Sequence, residues 1–440
     1  MTTTSKKLIR RKTKSVVHGG VKRMEIFDFP QTNHFKPFVP TTLPNVECML
    51  NHYGVRVRYN VIKKRCDYDI PGMSTSLDNR ENSSITHLIS LAALNGLNTT
   101  AIPAYIDAIS AANEYNPVLD WVNSKPWDGQ DRMEAFADTL QVEEGYPQEL
   151  KQAIIRKWLR SAAAALYKKG FHSRGVLTLQ GSQGLGKTSW VRALIPDAEL
   201  RESVLKVDHH LDASDKDSKI LAASHWIVEI GELESSLKKD IARLKGFITD
   251  DTDKIRRPYA KAESEYPRRT VFCATVNDAQ FLVDPTGNSR FWTLPVTQVN
   301  YLHTVDMQQV FAQAKHEVDE GAIWWLDSEE EAMLTAVNKQ HRAVSAIREL
   351  LLAVILEPGH PQADKPKKLS AIQLLSEVMG NKGAPTNQQC KEAGQVLREL
   401  YGEPTKSGGA MKWPVVLRKG NPYELHAASA TDLIHDDEDF

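Results

Sequence analysis

The stretch that decides the fold runs from Val176 to Thr188 and reads VLTLQGSQGLGKT. Its first part, Val176–Leu179, is an apolar run typical of a short buried strand. The second part, residues 181–188, has the spacing Gly-x-x-x-x-Gly-Lys-Thr of a phosphate-binding loop. A helical segment, Ser189–Leu194, follows it. A strand, a glycine-rich loop and a helix in this order predict a P-loop nucleotide site.

The residue types of this loop fit phosphate chemistry. Glycines let backbone N–H groups surround a phosphate, and the following helix presents its positive end to that anion. The Lys187 ammonium can reach the β and γ oxygens, and the Thr188 hydroxyl can coordinate Mg²⁺. ATP and Mg²⁺ are therefore the expected cofactors. The residues expected to contact the nucleotide are Gly181, Ser182, Gln183, Gly184, Leu185, Gly186, Lys187, Thr188 and Ser189.

A second buried strand, Trp226–Ile230, leads into an acidic segment. Residues 225–234 read HWIVEIGELE and contain Glu229, Glu232 and Glu234. In such ATPases one carboxylate holds Mg²⁺ and another polarises the attacking water. Glu232 is the favoured catalytic base, and Glu229 is expected to assist and to bind the metal with Thr188. Which of the two is the base stays open, and Glu229 could also be a solvated residue at a strand edge.

A third apolar strand, Val271–Thr275, is followed by Asn277, which can orient the attacking water or bind the γ-phosphate. The alternative is an ordinary turn asparagine. Arg290 lies in a Gly-Asn turn before the apolar run Phe291–Val296. An arginine in that place suits a finger that completes the site of a neighbouring subunit, which would make the enzyme a ring. A structural salt bridge is the alternative.

A basic loop lies between the second and third strands, where positive side chains alternate with an aromatic ring. Such a loop could follow a phosphate backbone while the ring stacks on a base, and in a ring it could enter the central channel. A solvated hairpin of mixed charge is the alternative. The predicted nucleic-acid contacts are Lys254, Arg256, Arg257, Tyr259 and Lys261.

Strands and helices alternate over residues 150–300, which predicts an α/β core. Two amphipathic helices, Leu369–Met379 and Gln388–Leu400, precede a strand at Trp413–Leu417 and suggest a small winged-helix-like module. That module could bind DNA or a partner protein. The predicted regions are a basic disordered arm at 1–23, a helical N-terminal region at 24–145, the ATPase core at 146–300, its helical extension at 301–356, a linker at 357–368, the winged-helix-like module at 369–420 and an acidic tail at 421–440.

The composition of the chain limits the class of protein and the kinds of site that are expected. Hydrophobic residues make up 41% of the chain and charged residues 25%, as in soluble globular proteins, and the net charge is −1. The cysteines, which are Cys48, Cys66, Cys273 and Cys390, are far apart without CxxC spacing. This pattern argues against a zinc site or a disulfide framework. No apolar run approaches the length of a membrane span, so a cytoplasmic protein is expected.

The order of the motifs resembles the virulence-associated E family. This family consists of phage- and island-encoded ATPases related to superfamily 3 helicases and to poxvirus-type primase-helicases. One departure is Ser289, which precedes Arg290 where the family often has a second arginine. The stretches that carry the resemblance are, in chain order, NVECMLNHYGVRVRYN, NPVLDWVNSKPWDGQDR, the phosphate loop, WIVEIGELE, KGFIT, RRPYAKAESEYPRR, ATVN and FLVDPTGNSRFW.

The resemblance implies an AAA+-like core, a hexamer-type assembly and a role in replicating a mobile element. Lys187 and Thr188 match the family's nucleotide loop, and Glu232 matches its acidic motif. Asn277 matches the sensor, and Arg290 matches the arginine after Thr-Gly-Asn. No carboxylate cluster or zinc knuckle of a primase is recognisable upstream, so a separate primase is expected to supply primers.

The expected function is that of an ATP-dependent DNA helicase or translocase, which acts as a ring on single-stranded or forked DNA. Two other classes stay open. One is a DNA-binding initiator or interference protein that uses ATP only to set its oligomeric state. The other is a packaging-type ATPase that moves DNA into a capsid. All three classes share the same ATPase site.

Overall fold

The structure is a computed structural model, and its architecture is mixed α/β. The chain divides into two compact units, of which the first holds residues 1–279 and 287–337 and the second holds 280–286 and 338–440. No helix within the described ranges is long and apolar enough to cross a membrane. The described residues are 21–32, 38–73, 79–231, 233–255, 264–282, 288–341, 346–356, 365–379 and 384–418.

The N-terminal part of the first unit combines helices with a three-stranded sheet of order β2-β1-β3. Sequence reasoning expected a mainly helical region with one strand near Val55–Tyr59. The two further strands read RCDYD and EY, too polar and too short to give an apolar run. The elements are α1 Leu43–His52, β1 Arg56–Asn60, β2 Arg65–Asp69, α2 Arg80–Leu94, α3 Ile102–Ala112, β3 Glu114–Tyr115, α4 Pro117–Val122, α5 Met133–Ala137 and β4 Leu140–Val142.

The remainder of the first unit alternates strands and helices, as the sequence predicts. The elements are α6 Gln148–Ala165, β5 Val176–Gln180, α7 Lys187–Ala193, α8 Ala198–Val204, β6 Leu205–His209, α9 Lys216–Ala223, β7 Ile227–Ile230, α10 Leu233–Thr249, β8 Thr252–Ile255, β9 Ser264–Pro267, β10 Val271–Val276, β11 Phe291–Val299, α11 Met307–Asp319 and α12 Ser328–Gln340.

A six-stranded sheet of order β4-β11-β5-β10-β7-β6 forms the centre of this unit. Strands β11, β5, β10, β7 and β6 run parallel, and β4 pairs antiparallel with β11. Every residue of β5 and β7 is buried. Central strands of a parallel sheet are covered on both faces, which explains why they read as continuous apolar runs.

Helix α6 packs on this sheet through buried tryptophans whose indole N–H groups are satisfied. Trp158 Nε1 donates to the Phe272 carbonyl at 2.8 Å, and Trp226 Nε1 donates to the Ala162 carbonyl at 2.8 Å. A buried indole brings a large apolar area into the core but requires a partner for its N–H. These two bonds therefore fix α6 against β10 and β7, the strands that carry the candidate site.

The second unit has its own hydrophobic core around Leu351, Leu374, Leu397 and Trp413. Helices are present at both predicted C-terminal segments, and β15 contains the predicted strand. Strand β15 pairs antiparallel with β12, β13 and β14. The elements are α13 Ala346–Val354, β12 Ile355–Leu356, β13 Lys367–Leu369, α14 Ala371–Met379, α15 Asn387–Tyr401, β14 Thr405–Ser407 and β15 Ala410–Leu417.

Candidate functional site

Several of the residues predicted for the nucleotide site meet at the carboxyl ends of the parallel strands of the central sheet. Strands β5, β10 and β7 are parallel neighbours, so their carboxyl ends lie side by side. The loop with Lys187 and Thr188 follows β5, Glu229 is the third residue of β7, and Asn277 directly follows β10. We call Lys187, Thr188, Glu229, Thr275 and Asn277 the phosphate-loop cluster.

The Lys187 side chain is held inside the loop. The residue is only 6% exposed. Its Nζ donates hydrogen bonds to the Gly181 carbonyl at 2.6 Å, the Ser182 carbonyl at 2.9 Å and Asn277 Oδ1 at 3.0 Å. These three acceptors are neutral oxygen atoms, and they orient the ammonium. Phosphate oxygens could replace them as partners.

Glu229 is the carboxylate of the cluster and is fully buried. Its Oε1 accepts hydrogen bonds from Thr188 Oγ1 at 2.7 Å and from Thr275 Oγ1 at 2.9 Å. Burial raises the pKa of Glu229 above its usual value, and the nearby charge of Asp208 also raises it, while the two threonine hydroxyls act in the opposite direction. Because the side chain is buried, the alternative of a solvated strand-edge residue is wrong for Glu229.

Two contributors to this site were missed by sequence reasoning. Thr275 lies in β10 two residues before Asn277, and the alternation of side chains along that strand could have revealed it. Asp208 has a left-handed backbone with φ of 50°, which is rare for a residue other than glycine. Its backbone N–H points at Glu229 Oε2 over 3.4 Å. No local pattern marks Asp208, because a register shift in β6 creates its position.

The backbone of the loop restricts which residues can stand at two of its glycine positions. Gly186 has a left-handed backbone with φ of 87° at the start of α7. A Cβ at Gly181 would lie 2.4 Å from the Val296 carbonyl oxygen, so β11 leaves no room for a side chain there. Four other residues predicted to contact nucleotide are exposed, namely Ser182, Gln183, Gly184 and Ser189, and Leu185 is half-buried.

The residues of the cluster fit a magnesium ion. Mg²⁺ prefers oxygen ligands, and nucleotide enzymes commonly bind it through one or two protein oxygens together with phosphates and water. The Thr188 hydroxyl and the Glu229 carboxylate supply two such oxygens within hydrogen-bond distance of each other. A cation next to Glu229 would also favour the ionised carboxylate that burial disfavours.

Arg290 lies at the opposite ends of the parallel strands, where these strands begin. It ends a short 3₁₀ helix directly before β11, and the first residue of that strand, Phe291, pairs with Val176 at the start of β5. The phosphate loop follows the far end of β5, about 15 Å away along the strand direction. The Arg290 Nε is buried and has no hydrogen-bond partner within the described part of the chain.

The remaining predicted residues lie mostly beyond what the structure describes. Glu232 is outside the described residues, as are Arg256, Arg257, Tyr259 and Lys261. Lys254 is described. It lies in β8 of the hairpin formed by β8 and β9, with a side chain that is 64% exposed and an ion pair to Glu265 of 3.0 Å. The ion pair between Lys254 and Glu265 therefore fits the alternative of a hairpin with mixed charge.

A buried ionic cluster fixes the base of this hairpin. Asp253 in β8 forms an ion pair of 2.8 Å with Arg268, whose guanidinium also donates to the Phe247 carbonyl at 2.9 Å. Lys64, from the turn between β1 and β2, lies 3.8 Å from the same carboxylate. Its ammonium also donates to the Ala223 carbonyl. The hairpin therefore starts from a rigid point of the first unit.

Replacing Asp253 by alanine is expected to destabilise the protein by about 3–5 kcal/mol, because it leaves two buried cations without their carboxylate. The midpoint of chemical denaturation measures this loss. Lys254→Ala is the matched control: it breaks the adjacent, exposed ion pair and should cost about 1 kcal/mol or less. Equal losses in the two variants would contradict the anchoring role of Asp253.

Comparison with known proteins gives one match at the level of a family. The profile of the virulence-associated protein E-like domain matches residues 122–343, which contain the whole phosphate-loop cluster. No curated protein matches the chain.

Two of the solved structures that match the chain come from one region of one protein. An apo structure of the NrS-1 C-terminal region is 14% identical and has a TM-score of 0.37, with 84% of this chain and 98% of that chain covered. An A-form apo structure of the same region is 14% identical and has a TM-score of 0.36, with 85% and 99% covered.

Proposed function

Since the chain belongs to the family of virulence-associated protein E-like domains, we propose that it is an ATP-dependent, superfamily 3-like DNA helicase or translocase. Its proposed role is in the replication of a phage or another mobile element. The proposed assembly is a hexameric ring with an AAA+-like core, and the proposed substrate is single-stranded or forked DNA. A separate primase is the proposed source of primers.

The main support for this proposal is that functional side chains from different strands form hydrogen bonds with each other. Lys187 contacts Asn277 at 3.0 Å, and Thr188 contacts Glu229 at 2.7 Å. The members of these pairs are 90 and 41 residues apart in the sequence. A glycine-rich turn without a ligand would not require a lysine, a carboxylate and an amide at the same place.

Each group has a proposed task in phosphoryl transfer. The loop N–H groups and Lys187 bind the β- and γ-phosphates, and Thr188 and Glu229 hold Mg²⁺. The ion would neutralise the charge that develops on the phosphate oxygens. Asn277 orients the attacking water or binds the γ-phosphate. Glu232, which is outside the described residues, is the proposed base.

The position of Arg290 supports a shared site. The arginine directly precedes β11, at the ends of the parallel strands opposite to the loop and roughly 15 Å from its own phosphate site along the strand. A side chain cannot act over that distance within one chain. If Arg290 stabilises the transferred phosphoryl group, it does so in the site of a neighbouring subunit, as arginine fingers do.

DNA contacts are proposed at two places. The first is the hairpin of β8 and β9, in which Lys254 belongs to β8. The other predicted contacts of this segment, which lie outside the described residues, are Arg256, Arg257, Tyr259 and Lys261. The second is the C-terminal module of α14, α15 and the β14–β15 hairpin, for which a winged-helix-like role stays a proposal. Cationic side chains on such elements bind the phosphate backbone, which makes binding weaken as salt rises.

The proposal is tested by measuring ATP hydrolysis with and without single-stranded DNA. Stimulation by DNA is expected for the wild type. Arg290→Ala should lose at least about a hundredfold in rate, since arginine fingers contribute large factors to turnover. Ser289→Ala, the exposed neighbouring position, is the matched control and should keep the rate. Mixing Arg290→Ala with Lys187→Ala should restore part of the activity through mixed sites.

Slow hydrolysis that DNA does not change, together with a normal rate for Arg290→Ala, would contradict a motor with shared sites. An ATP-switched DNA-binding protein would then be the better account. Dependence of activity on a capsid portal would favour the packaging class.

A further inference from the structure

Tyr301 is an exposed aromatic residue beside the phosphate loop. It lies two residues after the end of β11, and 42% of its surface is exposed. Its ring lies against the backbone of Gly186, because a Cβ added at that glycine would be 2.4 Å from Tyr301 Cδ1. An aromatic surface is therefore open to solvent directly beside the residue that precedes Lys187.

The segment that carries Tyr301 is held against helix α7 by aromatic packing. The His303 ring meets the Phe136 ring edge to face, with 5.3 Å between centroids. Phe136 in turn stacks on Trp190 of α7 at 4.9 Å. Contacts of this kind favour a defined ring geometry. The place of Tyr301 beside the loop is thus set by the packed core beneath it.

The strand order indicates on which side of the loop a base would lie. Strand β5 has β10 on one side and β11 on the other. Asn277, the proposed partner of the γ-phosphate or of the water that attacks it, follows β10. The γ-phosphate end of a nucleotide is then directed toward β10. The nucleoside end leaves the loop on the other side, where Tyr301 follows β11.

We propose that Tyr301 is the base-stacking residue of this site, on which the base of a nucleoside triphosphate packs. This inference rests on the proposed nucleotide function, and it adds the residue on which the base of the nucleotide packs. Stacking on an aromatic ring is tolerant of base identity because every base has a π-face. Tyr301 therefore adds affinity for adenine and guanine nucleotides alike, while the loop binds the phosphates.

The test compares the binding of three probes by titration calorimetry: Mg²⁺ with ATP, with GTP and with inorganic tripolyphosphate. Tyr301→Ala should weaken ATP and GTP binding about tenfold, which corresponds to ~1.4 kcal/mol, and leave tripolyphosphate binding unchanged. Tyr301→Phe should bind all three like the wild type. Leu302→Ala is the matched control at the next position, where the residue is 77% exposed.

The outcomes separate this inference from the proposed function. Unchanged nucleotide affinity in Tyr301→Ala, with normal tripolyphosphate binding, overturns the role of Tyr301 and leaves the nucleotide site standing. An equal loss for all three probes also overturns it, because the ring would then act only by supporting the loop. A wild type that binds none of the probes overturns the proposed function and the stacking role together.

Discussion

Lys187→Ala is expected to lose ATP hydrolysis by at least about a hundredfold, the scale seen when one preorganised donor to a developing charge is removed. The Lys187 ammonium is the group proposed to bind the phosphates, and it donates hydrogen bonds to two loop carbonyls and to Asn277 Oδ1. Alanine removes this charge from the loop. A phosphate-release assay at saturating ATP measures the effect.

The control for this variant is Lys315→Ala. Lys315 forms a partly exposed ion pair of 2.8 Å with Asp319 on α11, so its loss should change stability by about 1 kcal/mol or less and should not change turnover. The thermal midpoint of Lys187→Ala shows whether the variant is folded. A folded Lys187→Ala protein with wild-type turnover would contradict the assignment of residues 181–188 as the phosphate loop.

Glu229→Gln is expected to change activity and stability in opposite directions. Hydrolysis should fall by at least about a hundredfold, because the variant lacks the charge that would hold Mg²⁺. The free protein should become more stable, since an ionised carboxylate is costly in a fully buried place and a neutral amide is less so. The amide oxygen can still accept from Thr188 and Thr275, whereas the amide NH₂ replaces Oε2 and gives up only the long 3.4 Å contact with the Asp208 N–H. For a chain of 440 residues, a rise in the melting temperature of about 1 °C is expected for each ~1 kcal/mol gained.

This stability gain has a defined pH dependence. The pKa of Glu229 in the folded protein is raised above its ordinary value of 4.5. The fold therefore favours the protonated carboxyl, and the contribution of Glu229 to stability is full below pH 4.5 and is lost as the pH rises through the raised pKa. The amide of the Glu229→Gln variant does not titrate. The difference in melting temperature between variant and wild type should be largest near neutral pH and should close toward pH 4.5.

Glu144→Gln is the matched control for this prediction, because Glu144 is exposed and its exchange should change stability by less than about 0.5 kcal/mol. Saturating Mg²⁺ and ATP should reverse the order, since a ligand stabilises only the protein that binds it. A Glu229→Gln protein that is less stable than the wild type at pH 7 would contradict a net penalty for the buried carboxylate.

The central strands were predictable because their burial is continuous. Val176–Leu179, Trp226–Ile230 and Val271–Thr275 are apolar runs, and they correspond to β5, β7 and β10 with boundaries that differ by one residue. Strand β6 reads LKVDH and was not predicted. It is the last strand of the sheet among the described residues, where β7 is its one neighbour, so polar residues are tolerated and the apolar run is lost.

The sequence by itself determined the chemical groups of the candidate site: a loop with glycines at the required spacing, Lys187, Thr188, an acidic strand and Asn277. These follow from residue type and from spacing along one segment. The tertiary structure alone decided that β10 lies between β5 and β7, that Thr275 and Asp208 face Glu229, and that Tyr301 lies beside Gly186. The physical reason is that local periodicity specifies which face of a strand is buried, whereas contacts between distant segments depend on strand order and register.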